Sequence, residues 1–202
     1  MHRKAVLSCL LALLVAPSAS VADARFDAAA AKAERLDDLR KFLGQFVGSC
    51  TDPFERRTCE ANVAAFRKGA SGKTFVVRVT EASQVVRTQS RGGSVVVLLT
   101  PFIDGGGYAL TRGQPKRQDA DGNPLVDLVP MEVPLPPGMM EMDFLRPFRS
   151  GSIDVEVVFR PDATWKMKRK GEPGSYEGLA ARFVALRVIN SRDDSEIAAK
   201  IW

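Results

Sequence analysis

Two periodicities divide the chain. Up to about residue 70 the apolar side chains recur at steps of three and four, and from Thr74 onward they alternate with polar ones. The first spacing lines one face of a helix, and the second lines one face of a strand. Leu36, Leu39, Leu43, Phe46 and Val47 keep the helical step with Phe42 beside them, so the pattern predicts an amphipathic helix over Phe26 to Val47. Ala28 to Ala31 favour it, and Gly48 is placed to end it. A second helix is expected after a clear start signal, with Asp52 as N-cap, Pro53 at the first helical position and Glu55 completing a capping box. Phe54, Val63 and Phe66 would supply its apolar contacts, and Gly69 would stop it.

The alternating region contains eight strand candidates: Phe75–Val79, Ser94–Thr100, Tyr108–Thr111, Leu125–Val133, Ile153–Phe159, Thr164–Lys168, Ala181–Ile189 and Ile197–Trp202. Turn clusters punctuate them at Arg91-Gly92-Gly93, Asp104 to Gly107, Asp121 to Pro124, Gly171 to Gly174 and Asn190 to Ser195. The proline-rich stretch Pro130 to Pro147 is expected to carry the longest loop. The fold class that follows is α+β. A helical hairpin at 25–70 packs on an antiparallel β-sandwich or barrel-like sheet at 71–202, with 25–202 forming one compact unit.

The first 24 residues change the picture. A basic start, Met1-His2-Arg3-Lys4, leads into the apolar run Ala5 to Ala16 and a small-residue segment ending Ala22-Asp23-Ala24. That is the layout of a secretory signal peptide, and the run is shorter than the ~20 residues of a spanning helix. Cys9 lies inside the apolar run rather than at its end, which disfavours a lipid anchor. Cleavage after Ala24 removes Cys9 and His2, the only histidine of the chain. It also takes Arg3, Lys4 and Asp23 from a net charge of +5, leaving +4. The remaining Cys50 and Cys59 then read as a disulfide, pinning the corner of the hairpin to its second helix. The expected location is periplasmic or extracellular, with no transmembrane segment in the mature chain.

Candidate chemistry is sparse. Without histidine there is no Ser-His-Asp triad, no Cys-His pair and no histidine-based zinc site. Gly69-Ala70-Ser71-Gly72-Lys73-Thr74 lacks the first glycine of a phosphate-binding loop, since Arg67 holds that position; it reads as a joint. Ser71 and Lys73 could only form a Ser–Lys dyad that no motif supports. Asp119-Ala120-Asp121-Gly122-Asn123 fails as an EF-hand at Pro124 and Pro130 and reads as a tight turn with Gly122 at positive φ, the alternative being weak, loop-bound calcium on the oxygen donors Asp119, Asp121 and Asn123. Asp154 and Glu156 would share one strand face, an arrangement open to acid–base hydrolysis, although a solvated strand face has the same pattern. Met131, Met139, Met140 and Met142 read as core fillers rather than a thioether copper site. Trp202 alone does not make the chain a membrane barrel.

The strongest local charge is Trp165 to Lys170. On a strand, Trp165 and Met167 would face inward while Lys166, Lys168 and Lys170 form a basic row outside, with Lys116 and Arg117 nearby. Such a row can meet polyanions or simply protect a strand edge. The functional expectation is therefore a non-catalytic binding or structural module of the bacterial envelope, with no cofactor and no metal. Its partner would be an envelope protein or an anionic glycan or lipid surface, not nucleic acid. The alternatives are a polyanion binder using Lys166, Lys168 and Lys170, and a histidine-free hydrolase using Asp154 and Glu156.

Overall fold

The computed structural model describes residues 21–171 and 173–202; the expected leader lies outside them save for its last four residues. The chain opens with α1 (Val21–Ala30), β1 (Glu34–Leu36), α2 (Leu39–Val47) and α3 (Arg56–Ala70). Six short strands follow: β2 (Phe75–Val79), β3 (Val86–Arg91), β4 (Ser94–Leu99), β5 (Phe102–Asp104), β6 (Ala109–Arg112) and β7 (Arg117–Gln118). Then come β8 (Pro124–Leu125), β9 (Val129–Pro134), and the single-turn helices α4 (Glu141–Phe144) and α5 (Arg146–Arg149). The chain ends in β10 (Ile153–Lys168), β11 (Ser175–Asn190) and β12 (Ser195–Ile201).

The expected α+β sandwich is what forms. A seven-stranded sheet runs β1-β2-β10-β11-β6-β5 with β12 also on β11, and a three-stranded sheet runs β3-β4-β9. Val97, Leu99, Val129 and Met131 of the smaller sheet meet Val155, Val157, Leu186 and Val188 of the larger in one core. The sheets do not close into a barrel: β1 and β5 remain as edges. Two pairings are parallel, β1 with β2 and β6 with β11, so the large sheet is mixed rather than purely antiparallel.

The expected helix over Phe26 to Val47 is two helices with a strand between them. Asp38 breaks it: its extended backbone and its Oδ1, which accepts from Lys41 N at 2.9 Å, start α2 at Leu39. The upstream residues Glu34 to Leu36 are left to pair with Phe75 to Val77. The two halves of the apparent stripe serve opposite faces of the sheet. Leu39, Phe42, Leu43 and Phe46 join the inter-sheet core, whereas Phe26 packs with Val76, Val158 and Ala185 on the outer face. Periodicity cannot distinguish one continuous stripe from two in phase.

The disulfide Cys50–Cys59 is present, with Cα atoms 5.7 Å apart, at the corner of α2 and α3. The start signal before α3 works differently from the expected capping box. Asp52 Oδ1 accepts from Phe54 N at 2.8 Å, closing a turn two residues on, and α3 begins at Arg56 without a side-chain cap. Phe54 is 98% exposed instead of supporting the helix.

The long β10–β11 ribbon fuses two expected strands. β10 passes through Pro161 because register shifts at Val158/Phe159 and Pro161/Ala163 take up the irregularity there. Gly178 explains the close packing farther along. A Cβ there would lie 2.3 Å from Ala109 O and 2.6 Å from the Trp165 ring.

Candidate functional site

A concavity lies where the helices meet the sheet. A cleft of about 670 Å³ runs between α2, α3 and the β1–β2 edge. Phe42, Phe66 and Phe75 line its floor, with Phe42 in ring contact with Phe66 at 5.5 Å and with Phe75 at 4.9 Å between centroids. Its rim carries both signs of charge, Asp37 and Glu34 against Arg35, Lys41 and Lys73. Lys73 Nζ reaches Glu34 Oε2 at 3.0 Å and closes one side. A second hollow of about 500 Å³ continues past Gln45 and Phe66 to Phe54, Thr58 and Asn62. The two make one groove along α3.

The groove exists because α3 is only lightly used by the fold. Ala70 is its one buried residue, and it is held from below by Arg67, whose Nε and Nη2 donate to the Phe46 and Val47 carbonyls at 2.7 and 3.1 Å. These bonds satisfy the end of α2, where carbonyls lack helical partners. Ala61, Ala65 and Gly69 stay exposed at four-residue steps. No sequence signal singled out this groove. Its floor comes from α2, α3 and β2, which are separate in the chain.

The carboxylates Asp154 and Glu156 do share a face, but the face is not solvated: they are 4% and 3% exposed. Helix α1 covers that side of the sheet, and arginines meet the charges. Asp154 Oδ2 takes Arg78 Nε at 2.8 Å and its Oδ1 takes Glu81 N at 3.2 Å. Glu156 Oε2 takes Arg187 Nε at 2.7 Å, and Arg35 lies 3.6 Å from Oε1. Arg78 also reaches Asp194 at 2.6 Å, and Arg187 reaches Asp27 of α1 at 3.0 Å. Hydrogen bonds to Asp194 and then Asp154 raise the Arg78 pKa. With their oxygens engaged this way, the two carboxylates act as struts that fasten α1 and the 190s turn to the sheet.

The basic strand alternates as expected, Trp165 inside and the lysines outside. Trp165 Nε1 donates to the buried Thr111 Oγ1 at 2.9 Å. Among the lysines, Lys166 pairs with Glu177, its cross-strand neighbour, at 2.5 Å. Lys170 Nζ donates to the Ala120 carbonyl at 3.0 Å, and Lys168 is exposed. The Lys166 hydrogen bond, followed by that of Ser175, holds the Glu177 carboxyl below its ordinary pKa against the opposing effect of burial.

The Asp119 loop is the expected tight turn, with Gly122 at φ +86° against Lys170. Asp119 accepts from Asn123 N at 2.8 Å, Asp121 N at 3.0 Å and Asn123 Nδ2 at 3.1 Å. Bonding to Asn123, backbone first, lowers its pKa. Lys73 is paired with Glu34, and Ser71 simply ends α3, its N–H donating to the Arg67 carbonyl. Of the four methionines Met131, Met139, Met140 and Met142, Met131 fills the core, whereas Met139, Met140 and Met142 are exposed around α4. Among the described residues, no group of three His, Cys, Asp or Glu is placed to hold a metal ion. None of their helices is long and apolar enough to cross a membrane.

These features describe a disulfide-pinned α+β sandwich with a helical groove at one end. The chain belongs to a family of unknown function, DUF6066, whose model matches residues 1–202. No curated protein and no solved structure matches it.

Proposed function

We propose that the protein is an exported, non-catalytic binding module of the bacterial envelope, periplasmic or released, that docks a helical segment of an envelope protein in the α2–α3 groove. The observation that carries this reading is the exposure of α3. A fifteen-residue helix that buries one residue, beside a three-phenylalanine floor and the exposed Phe54, has an apolar side left to cover. Ala61, Ala65 and Gly69 form a smooth ridge on which a second helix can approach closely. Mixed charges at the rim would set its register. Export is supported by the leader-like residues 1–24 and by the disulfide, which persists in oxidising compartments.

The test is a photo-crosslinking residue placed at Ala65 or, as a control on the far side of the sandwich, at Lys200 in living cells. One discrete adduct from position 65, absent at 200 and lost when Ala61→Arg is added, is the expected result. Equal labelling from both positions, or none from 65, would remove the groove as the docking site.

A further inference from the structure

The large sheet contains a notch. Parallel β6 pairs with β11 from Gly178 to Ala181, and antiparallel β12 pairs with it from Ala185 to Asn190. Between them, Arg182 and Phe183 have no strand neighbour on that edge; Gly113 N closes one side on Ala181 O at 3.1 Å and Trp202 N the other on Val184 O at 3.1 Å, where the carboxyl ends of β6 and β12 converge. The opening is a cleft of about 640 Å³ lined by Arg112, Arg160, Arg182, Phe183, Trp202 and the rim carboxylate Asp162, with short backbone stretches between them.

Its charge is unbalanced. Arg160 and Arg182 are direct cross-strand partners, a placement that repels. Neither they nor Arg112 has a carboxylate within ion-pair distance among the described residues, Asp162 included. Arg160 is steadied by one edge only, its Nε donating to Thr74 Oγ1 at 3.0 Å. Arg112 lies over the Trp202 ring, its Cζ 4.7 Å from the centroid, in a cation–π contact. Trp202, set against Phe183 at 6.3 Å, keeps 42% of its surface exposed.

We infer that this notch is a binding site for an acidic saccharide unit, a sugar ring bearing a sulfate or carboxylate. The oxyanion would sit between Arg160 and Arg182, where it removes their repulsion and accepts paired N–H bonds. The apolar face of the ring would lie on the exposed part of Trp202. The site is independent of the helical groove, and it places anion binding at the arginines rather than at Lys166, Lys168 and Lys170.

The experiment titrates the leader-free protein with a heparin-derived disaccharide and, separately, with inorganic sulfate, following tryptophan emission. Of the two tryptophans Trp165 is buried, so Trp202 reports the notch. Saturable binding of the disaccharide is expected, weakened about tenfold by Arg160→Ala or Arg182→Ala. Trp202→Ala, followed by calorimetry, should weaken it as well, while the triple change of Lys166, Lys168 and Lys170 to Glu leaves it within about twofold. The Arg182→Ala variant should melt no lower than the parent, because it relieves a repulsion and breaks no bond to a neighbour. A melting temperature that falls with it would mean that this arginine is structural and overturn the assignment. So would absence of saturation, loss of binding only in the lysine variant, or sulfate binding as tightly as the disaccharide.

Discussion

The β10–β11 ribbon handles charge in two ways within a few residues. At Asp154 and Glu156 each carboxylate is matched to a guanidinium and buried; at Arg160 and Arg182 two exposed arginines are cross-strand partners with no carboxylate at ion-pair distance among the described residues, and Arg160 bonds Thr74 instead. The first arrangement is closed and supports the fold. The second is open, and it is held in place by neighbours rather than by an opposite charge. Matched and buried charge marks structure here, whereas unmatched charge beside an exposed aromatic marks a surface able to bind.

The sharpest way to break that contrast is to remove a buried strut. Glu156→Ala leaves Arg187 without its buried partner and loosens α1, and it should cost about 3 kcal/mol in urea unfolding. Arg182→Ala in the same assay should change stability by no more than about 0.5 kcal/mol. Equal losses would erase the distinction. Next in size is the covalent strut at the other end of the molecule. Reducing Cys50–Cys59 should destabilise the chain by about 2.5 kcal/mol, as closing so small a loop predicts, and leave the notch's disaccharide affinity unchanged.

The smallest effect probes the ribbon tip, which lies between the two extremes. Glu177 is held below the ordinary value of 4.5 in the folded chain, so folding favours its ionised form. Its contribution is complete above the unfolded value and disappears as pH falls through the folded one. Lys166→Met should therefore lower stability by about 0.5 kcal/mol at neutral pH, with the variant and parent converging below pH 4.5. A difference that persists in acid would assign the loss to packing of the lysine stem instead.

Much of the β region was legible from alternation. Phe75–Val79 forms as read, Ser94–Thr100 loses one residue, and Tyr108–Thr111 shifts by one to Ala109–Arg112. The strands β3 and β5 escaped notice because Val86-Arg87-Thr88-Gln89-Ser90-Arg91 is mostly polar and Phe102-Ile103-Asp104 is very short. Lone strands of that composition are stabilised by their neighbours rather than by their own side chains. Asp154 and Glu156 share a face, as their spacing predicts, but that face is covered rather than solvated. Alternation gives a residue's side of the sheet and says nothing of what later covers that side.

The sequence by itself determined the α+β class, the position of the turns and the Cys50–Cys59 pairing, because periodicity, glycine chemistry and a short cysteine spacing act over a few residues. Only the tertiary structure decided that Phe26 and Phe42 serve opposite faces of one sheet, that Glu156 meets Arg187, and that Arg112, Arg160, Arg182 and Trp202 surround one notch. Those outcomes depend on strand order and register, which bring together residues separated by dozens of positions, and no local pattern encodes them.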